Sequence, residues 1–175
     1  MSKLYSIGYY TPNMSNTVFT QRSQLVEYIV AGGVTESTEK CPTFAPIVDL
    51  SIAEQIKKYI KENEISTVYD LGAGDLALSV YLELETTADI IAYELDEHIV
   101  DISTQYWSDR YNIQNITVKC KDFQPDIPII NNDSNSLVVM IGRSNSISPE
   151  HFEDTTVIIT RSSKSSITVL EPTAF

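Results

Sequence analysis

Cysteine, glycine and basic side chains are all scarce, and each shortage excludes a class of protein. The two cysteines, Cys41 and Cys120, fit neither a C-x-x-C pair nor zinc-ligand spacing. Free thiols in a reducing cytosol are the default, and a disulfide is unforced. Twelve Lys and Arg stand against 24 Asp and Glu, a formal charge of −12. Neutralising a phosphate backbone needs a basic face, so nucleic-acid partners are disfavoured, and anionic membrane surfaces likewise. No stretch approaches the ~18 apolar residues of a membrane span, and Met1–Ser6 carries no apolar leader. The expectation is a soluble, cytoplasmic protein. No carboxylate cluster has metal spacing and His98 and His151 are isolated, so no metal is expected and both histidines read as surface or structural residues.

What is present is a globular balance, 42% hydrophobic and 21% charged over 175 residues. Residues 51–175 alternate helix-period segments with short β-branched runs, the pattern of an α/β fold with a mainly parallel sheet. Residues 1–50 read as an N-terminal cap or lid, with three prolines, Gly32-Gly33 and one helix over Thr20–Ala31. Ser51-Ile52-Ala53-Glu54 has the form of a capping box. In the helix it opens, Ile52, Ile56, Tyr59 and Ile60 share one stripe while lysines solvate the other faces. Next come strand Thr67–Leu71, helix Leu76–Glu85, strand Asp89–Glu94, helix Glu97–Tyr111, strand Ile116–Cys120, a polar loop Gln124–Asn135 and strand Ser136–Ile141. Ser148-Pro149-Glu150 starts a helical turn, and strands Thr156–Thr160 and Ile167–Leu170 follow.

Chemistry concentrates where these strands end. After the first, Asp70-Leu71-Gly72-Ala73-Gly74-Asp75 is a glycine turn that opens a helix, so a ligand there lies against bare backbone near a positive helix terminus. Twenty positions beyond Gly74, Glu94 ends the second strand, where a carboxylate can accept two ribose hydroxyls. The third strand leads to Asp122 and Phe123, an acid for the amino edge of adenine and an aromatic that either flanks the base or fills the core. The fourth ends at Ile141-Gly142, which leaves backbone room beneath a cofactor. Ligands of open α/β sheets bind outside the carboxyl ends of the strands, and all four features fall on that edge. Asp75 is either part of this set or the helix N-cap.

Over Ser51 to about Thr160 these motifs resemble class I S-adenosylmethionine-dependent methyltransferases, a Rossmann-like three-layer sandwich. Asp70-Leu-Gly72-Ala-Gly74-Asp75 looks like the family's first motif, Tyr93-Glu94-Leu95-Asp96 like its acidic second, and Lys121-Asp122-Phe123 like its third. Small protein-lysine-type members look nearest. The resemblance implies that Asp70 orients the methionine end of S-adenosylmethionine, that Gly72, Ala73 and Gly74 underlie it, that Glu94 holds the ribose, that Leu95 packs on adenine and that Asp122 meets its edge. Arg143 and Asn145 stand where the family places substrate-contacting groups and are the candidates for the catalytic pocket. The acceptor is a small molecule or a protein, and the acidity favours a cationic one.

Three departures from the family pattern stand out. Leu76 replaces a third glycine, where a branched side chain crowds the cofactor or shifts the helix start. Met140-Ile141-Gly142-Arg143-Ser144-Asn145 lacks the box with which amino-group DNA methylases hold their base. One strand beyond Thr160 makes a shortened C-terminal end, so a sheet edge is open to pairing and a homodimer is expected through it. Two alternatives stand beside the methyltransferase: a non-catalytic cofactor-binding or interaction module of the same fold, and an NAD-binding oxidoreductase, whose fingerprint Gly72-x-Gly74-x-x-Ala77 also satisfies. Asp70 opposes the second, because its charge faces a pyrophosphate unfavourably.

Overall fold

A computed structural model of the chain describes residues 50–108, 115–141, 149–160 and 167–172. The cap with its helix over 20–31, Cys41, Tyr111, Gly142, Arg143, Asn145 and Ser148 lie outside the described residues.

The described elements follow one another as helix α1 (Leu50–Glu62), strand β1 (Thr67–Leu71), helix α2 (Ala77–Glu85), β2 (Asp89–Tyr93), α3 (Glu97–Ser108) and β3 (Ile116–Lys119), and then a 3-10 turn (Gln124–Asp126) running into α4 (Ile127–Asn131). Strand β4 (Ser136–Met140), a 3-10 turn (Pro149–His151), β5 (Thr156–Thr160) and β6 (Ile167–Leu170) complete the set. The strands form one sheet in the order β3-β2-β1-β4-β5-β6. All neighbours are parallel except β5 and β6, which run antiparallel. The chain passes from β1 outward to β2 and β3, then returns to place β4 on the other side of β1. The switch point therefore lies between β1 and β4, where open α/β sheets form their ligand crevice.

Period-two alternation along the strands divides the core between the two faces of the sheet. Val68, Ile90, Ala92, Leu137, Val139 and Ile158 face α1, α2 and α3. The stripe of α1 packs there, with Ile56 fully buried and Ile52 and Ile60 nearly so. Tyr69, Leu71, Tyr93, Val138, Met140 and Val157 face the other way, against Ile130 of α4 and Phe152. The result is the expected three-layer α/β sandwich. Among the described residues no helix is long and apolar enough to cross a membrane.

Three local expectations are corrected. Ser51 lies inside α1 rather than ahead of it, and its Oγ accepts a hydrogen bond from Gln55 Nε2 at 3.1 Å, so the capping-box reading places the helix start too late. The segment read as a polar loop over Gln124–Asn135 holds a 3-10 turn and α4, started by Pro125 and Pro128 at first-turn positions, where a missing amide is harmless. Helix α2 begins at Ala77, because Leu76 is left-handed with φ 63° and breaks the helical run.

Candidate functional site

The carboxyl end of β1 delivers Asp70 on the helix-covered face, the same face as Val68. Asp70 is buried, and its Oδ2 accepts a hydrogen bond from Ser79 Oγ of α2 at 2.6 Å. Among the described residues no cation pairs with it. Burial pushes its carboxyl up to about 6, helped by the charges of Asp75 and Glu94, while the Ser79 hydroxyl pulls the other way. A carboxylate has about four acceptor positions, and the Ser79 hydroxyl fills one of them among the described residues.

The glycine turn follows at once. Gly72 sits at φ 75° and Gly74 at φ 58°, a conformation that side chains with a Cβ resist. A Cβ built on Gly72 would meet nothing within 4 Å, so the glycine serves the backbone angle and leaves open space above the turn. The amides of the turn look elsewhere. Gly72 N–H and Ala73 N–H both donate to the Tyr93 carbonyl, at 2.9 and 2.8 Å, and Gly74 N–H donates to Glu94 Oε2 at 2.9 Å. Dinucleotide recognition needs such amides pointed at a pyrophosphate. With these three engaged by the end of β2, none of them is presented to a pyrophosphate, which disfavours the oxidoreductase alternative.

Glu94 is the hub of the second loop. Its Oε1 accepts from the amides of Leu95 (2.8 Å) and Asp96 (3.0 Å), while Oε2 accepts from Gly74 and has no second partner among the described residues. Leu95 beside it is 68% exposed, a large apolar side chain without cover. Asp122 is exposed, with Oδ1 capping the amide of Gln124 at 3.0 Å. Phe123 is half-buried, edge-on to Tyr93 with ring centroids 6.3 Å apart. Its ring therefore belongs to the apolar cluster under the sheet, which favours the core reading over a flank for the base. Ala73 and Ile141 are half-buried against the helix-side core.

Leu76 neither crowds the turn nor lies open. It is fully buried in the helix-side core, and its left-handed backbone shifts the start of α2 by one residue. Leu76 takes the N-cap position of that helix, and Asp75, one residue ahead of it, accepts on Oδ1 from the Ala77 N–H at 3.1 Å. The Asp75 carbonyl accepts from Trp107 Nε1 at 2.6 Å, which ties α3 to the turn. Sequence reasoning missed Ser79, although it is the one small polar residue in the apolar stretch Leu76–Leu82. It also missed Asp126, which takes Tyr93 Oη, Lys119 Nζ and Lys121 Nζ at 2.7, 3.2 and 2.7 Å. His98 and His151 are exposed, as read.

Asp70, the glycine turn, Glu94, Leu95 and Asp122 are thus gathered along one edge of β1, β2 and β3. Solved structures with the same architecture are numerous. An O-methyltransferase assignment from Klebsiella pneumoniae matches 91% of this chain and 74% of its own at 8% identity, with a TM-score of 0.59. The chain has the class I methyltransferase fold. A structure assigned as a caffeoyl-CoA O-methyltransferase from Staphylococcus aureus matches 65% of this chain at 14% identity and a TM-score of 0.54. The N-terminal domain of EvdMO1, solved with SAH bound, matches 79% of this chain at 14% identity and a TM-score of 0.53. This chain spans 58% of the second and 61% of the third. No protein-family model and no curated protein matches the sequence. Within the methyltransferase fold, the glycine turn occupies the first strand end and Glu94 the second.

Proposed function

We propose that the chain binds S-adenosylmethionine along the β1-β2-β3 edge and transfers its methyl group to a small-molecule or protein acceptor. Asp70 carries the reading. A buried carboxylate with one hydroxyl partner and no cation among the described residues, at the root of a turn whose Gly72, Ala73 and Gly74 amides are engaged elsewhere, suits a cationic group arriving from above and repels a phosphate. The α-ammonium of an amino-acid moiety is such a group. The exposed Leu95 offers an apolar face for a base, and Glu94 keeps an acceptor position on Oε2 for a ribose hydroxyl.

When bound, S-adenosylmethionine supplies a methyl group on a sulfonium, which is already reactive toward nucleophiles. The chain's own work is therefore alignment and exclusion of water, and alignment of this kind is worth about 7–11 kcal/mol. Asp70 anchors one end of the ligand, Glu94 and Asp122 the other, and the open surface of Gly72 lets the middle approach the backbone. The reading needs no dedicated base where the acceptor loses its proton to water or a nearby acid. Arg143 and Asn145, directly after β4, complete the proposal as groups that contact the acceptor.

Calorimetry with S-adenosylmethionine and its demethylated product tests the first step. Saturable binding tighter than about 1 mM, or about 4 kcal/mol, is expected, and no binding at that concentration overturns the proposal. A screen of small amines, proteins and anionic acceptors for labelled methyl uptake tests the second.

A further inference from the structure

The edge that would grip the adenosine half is built from two separate loops, one after β2 with Glu94 and one after β3 with Asp122. Strand pairing holds the second only at its root, where register between β2 and β3 ends at Tyr93 and Lys119 and Glu94 N–H donates to the Lys119 carbonyl at 3.2 Å. A charged clamp holds it further along. Asp126 in the 3-10 turn is buried, and its Oδ2 accepts from Tyr93 Oη at 2.7 Å and from Lys119 Nζ at 3.2 Å. Its Oδ1 accepts from Lys121 Nζ at 2.7 Å. Lys119 also reaches Tyr93 Oη at 3.2 Å and lies over the Tyr93 ring. The two lysines bracket the exit from β3, Tyr93 immediately precedes Glu94, and Asp126 closes the loop that carries Asp122.

Asp122 lies between the clamped points. Its Oδ1 is fixed by the Gln124 amide, and Oδ2 has no partner among the described residues. Phe123 packs edge-on against Tyr93, so the loop is held from its apolar side as well.

We infer that Asp126, clamped by Tyr93, Lys119 and Lys121, is a positioning residue that holds Asp122 in place to read the amino edge of the adenine. The inference rests on the proposed cofactor site. It assigns no contact of Asp126 with the ligand itself. Lysines on both sides hold its carboxyl down at about 2, so the clamp stays ionised throughout the working pH range.

The test compares S-adenosylhomocysteine with its inosine analogue, in which a carbonyl replaces the adenine amino group. In the wild type, the adenine form should bind about tenfold more tightly, the scale of one hydrogen bond to a charged group. Asp126→Asn should shrink that preference to less than about threefold, and Asp122→Ala should abolish it. Lys121→Gln, at a half-exposed side chain, should reduce the preference in the same direction by a smaller factor. A general structural defect weakens both ligands by one factor and leaves their ratio untouched. An unchanged ratio in Asp126→Asn and Lys121→Gln, with wild-type discrimination intact, overturns the clamp. Absence of any wild-type binding overturns the cofactor site instead, so the two failures are distinct.

Discussion

Leu76 is where two energetic terms of opposite sign meet, and two substitutions separate them. The side chain is fully buried in the helix-side core, yet its backbone sits at φ 63°. Truncation to alanine keeps the unfavourable angle and removes the buried isobutyl group, which costs about 2–5 kcal/mol. Truncation to glycine loses slightly more side chain but relieves a left-handed strain of about 1–2 kcal/mol. Leu76→Gly should therefore be as stable as Leu76→Ala or more stable by about 1 kcal/mol, whereas at an ordinary helix position glycine is the worse by about that amount. Both should remain below the wild type, so a glycine at this place does not improve this chain. Urea denaturation followed by fluorescence of the single, buried Trp107 measures the series. At about 1–3 kcal/mol per molar urea, a 1 kcal/mol difference moves the midpoint by about 0.3–1 M. A glycine variant clearly less stable than the alanine one would refute the strain argument.

Asp70 makes a pH prediction. Folded Asp70 keeps its proton up to about pH 6, whereas an ordinary carboxyl releases it near 3.8. Between those values the folded chain binds more protons, so this group's contribution to stability falls as pH rises from 4 toward 6, by up to about 3 kcal/mol. Asp70→Asn should remove that slope in denaturation curves between pH 4 and 7, and affinity for S-adenosylhomocysteine should drop in the wild type as pH falls through 6 but stay flat in the variant. Glu94→Ala should speed amide hydrogen exchange at Gly74, Leu95 and Asp96 together, because all three donate to its carboxylate; unchanged exchange would count against the loop hub. Trp107→Phe loses the bond to the Asp75 carbonyl and leaves a void beside Tyr106, and a loss of about 2–4 kcal/mol is expected in thermal or urea melts.

The strands were legible because each is a short β-branched run whose alternation the sheet uses on both faces, and their observed limits differ from the reading by at most a residue. Helix α4 was not, because Pro125 and Pro128 look like loop residues until their place in the first turn is known. Gly72, Gly74 and Glu94 stood out as candidates through their spacing, and Asp70 through the family resemblance. Their hydrogen bonds were not: that the turn's amides face Tyr93 and Glu94 depends on β1 and β2 being neighbours, a fact of three dimensions. Ser79 and Asp126 escaped for the same reason, since each acts on a residue seven or more positions away or on another strand. Leu76 shows the limit of motif reading, because its spacing marks a missing glycine while its burial gives it a place in the core.

The central claim is a location, the edge formed by the glycine turn, Glu94 and Asp122, and amide chemical-shift mapping with S-adenosylhomocysteine tests it directly. The account predicts saturable shifts at Gly72, Ala73, Gly74, Leu95 and Asp122, with β6 unmoved. Shifts confined to other parts of the chain, or none at millimolar ligand, would contradict it.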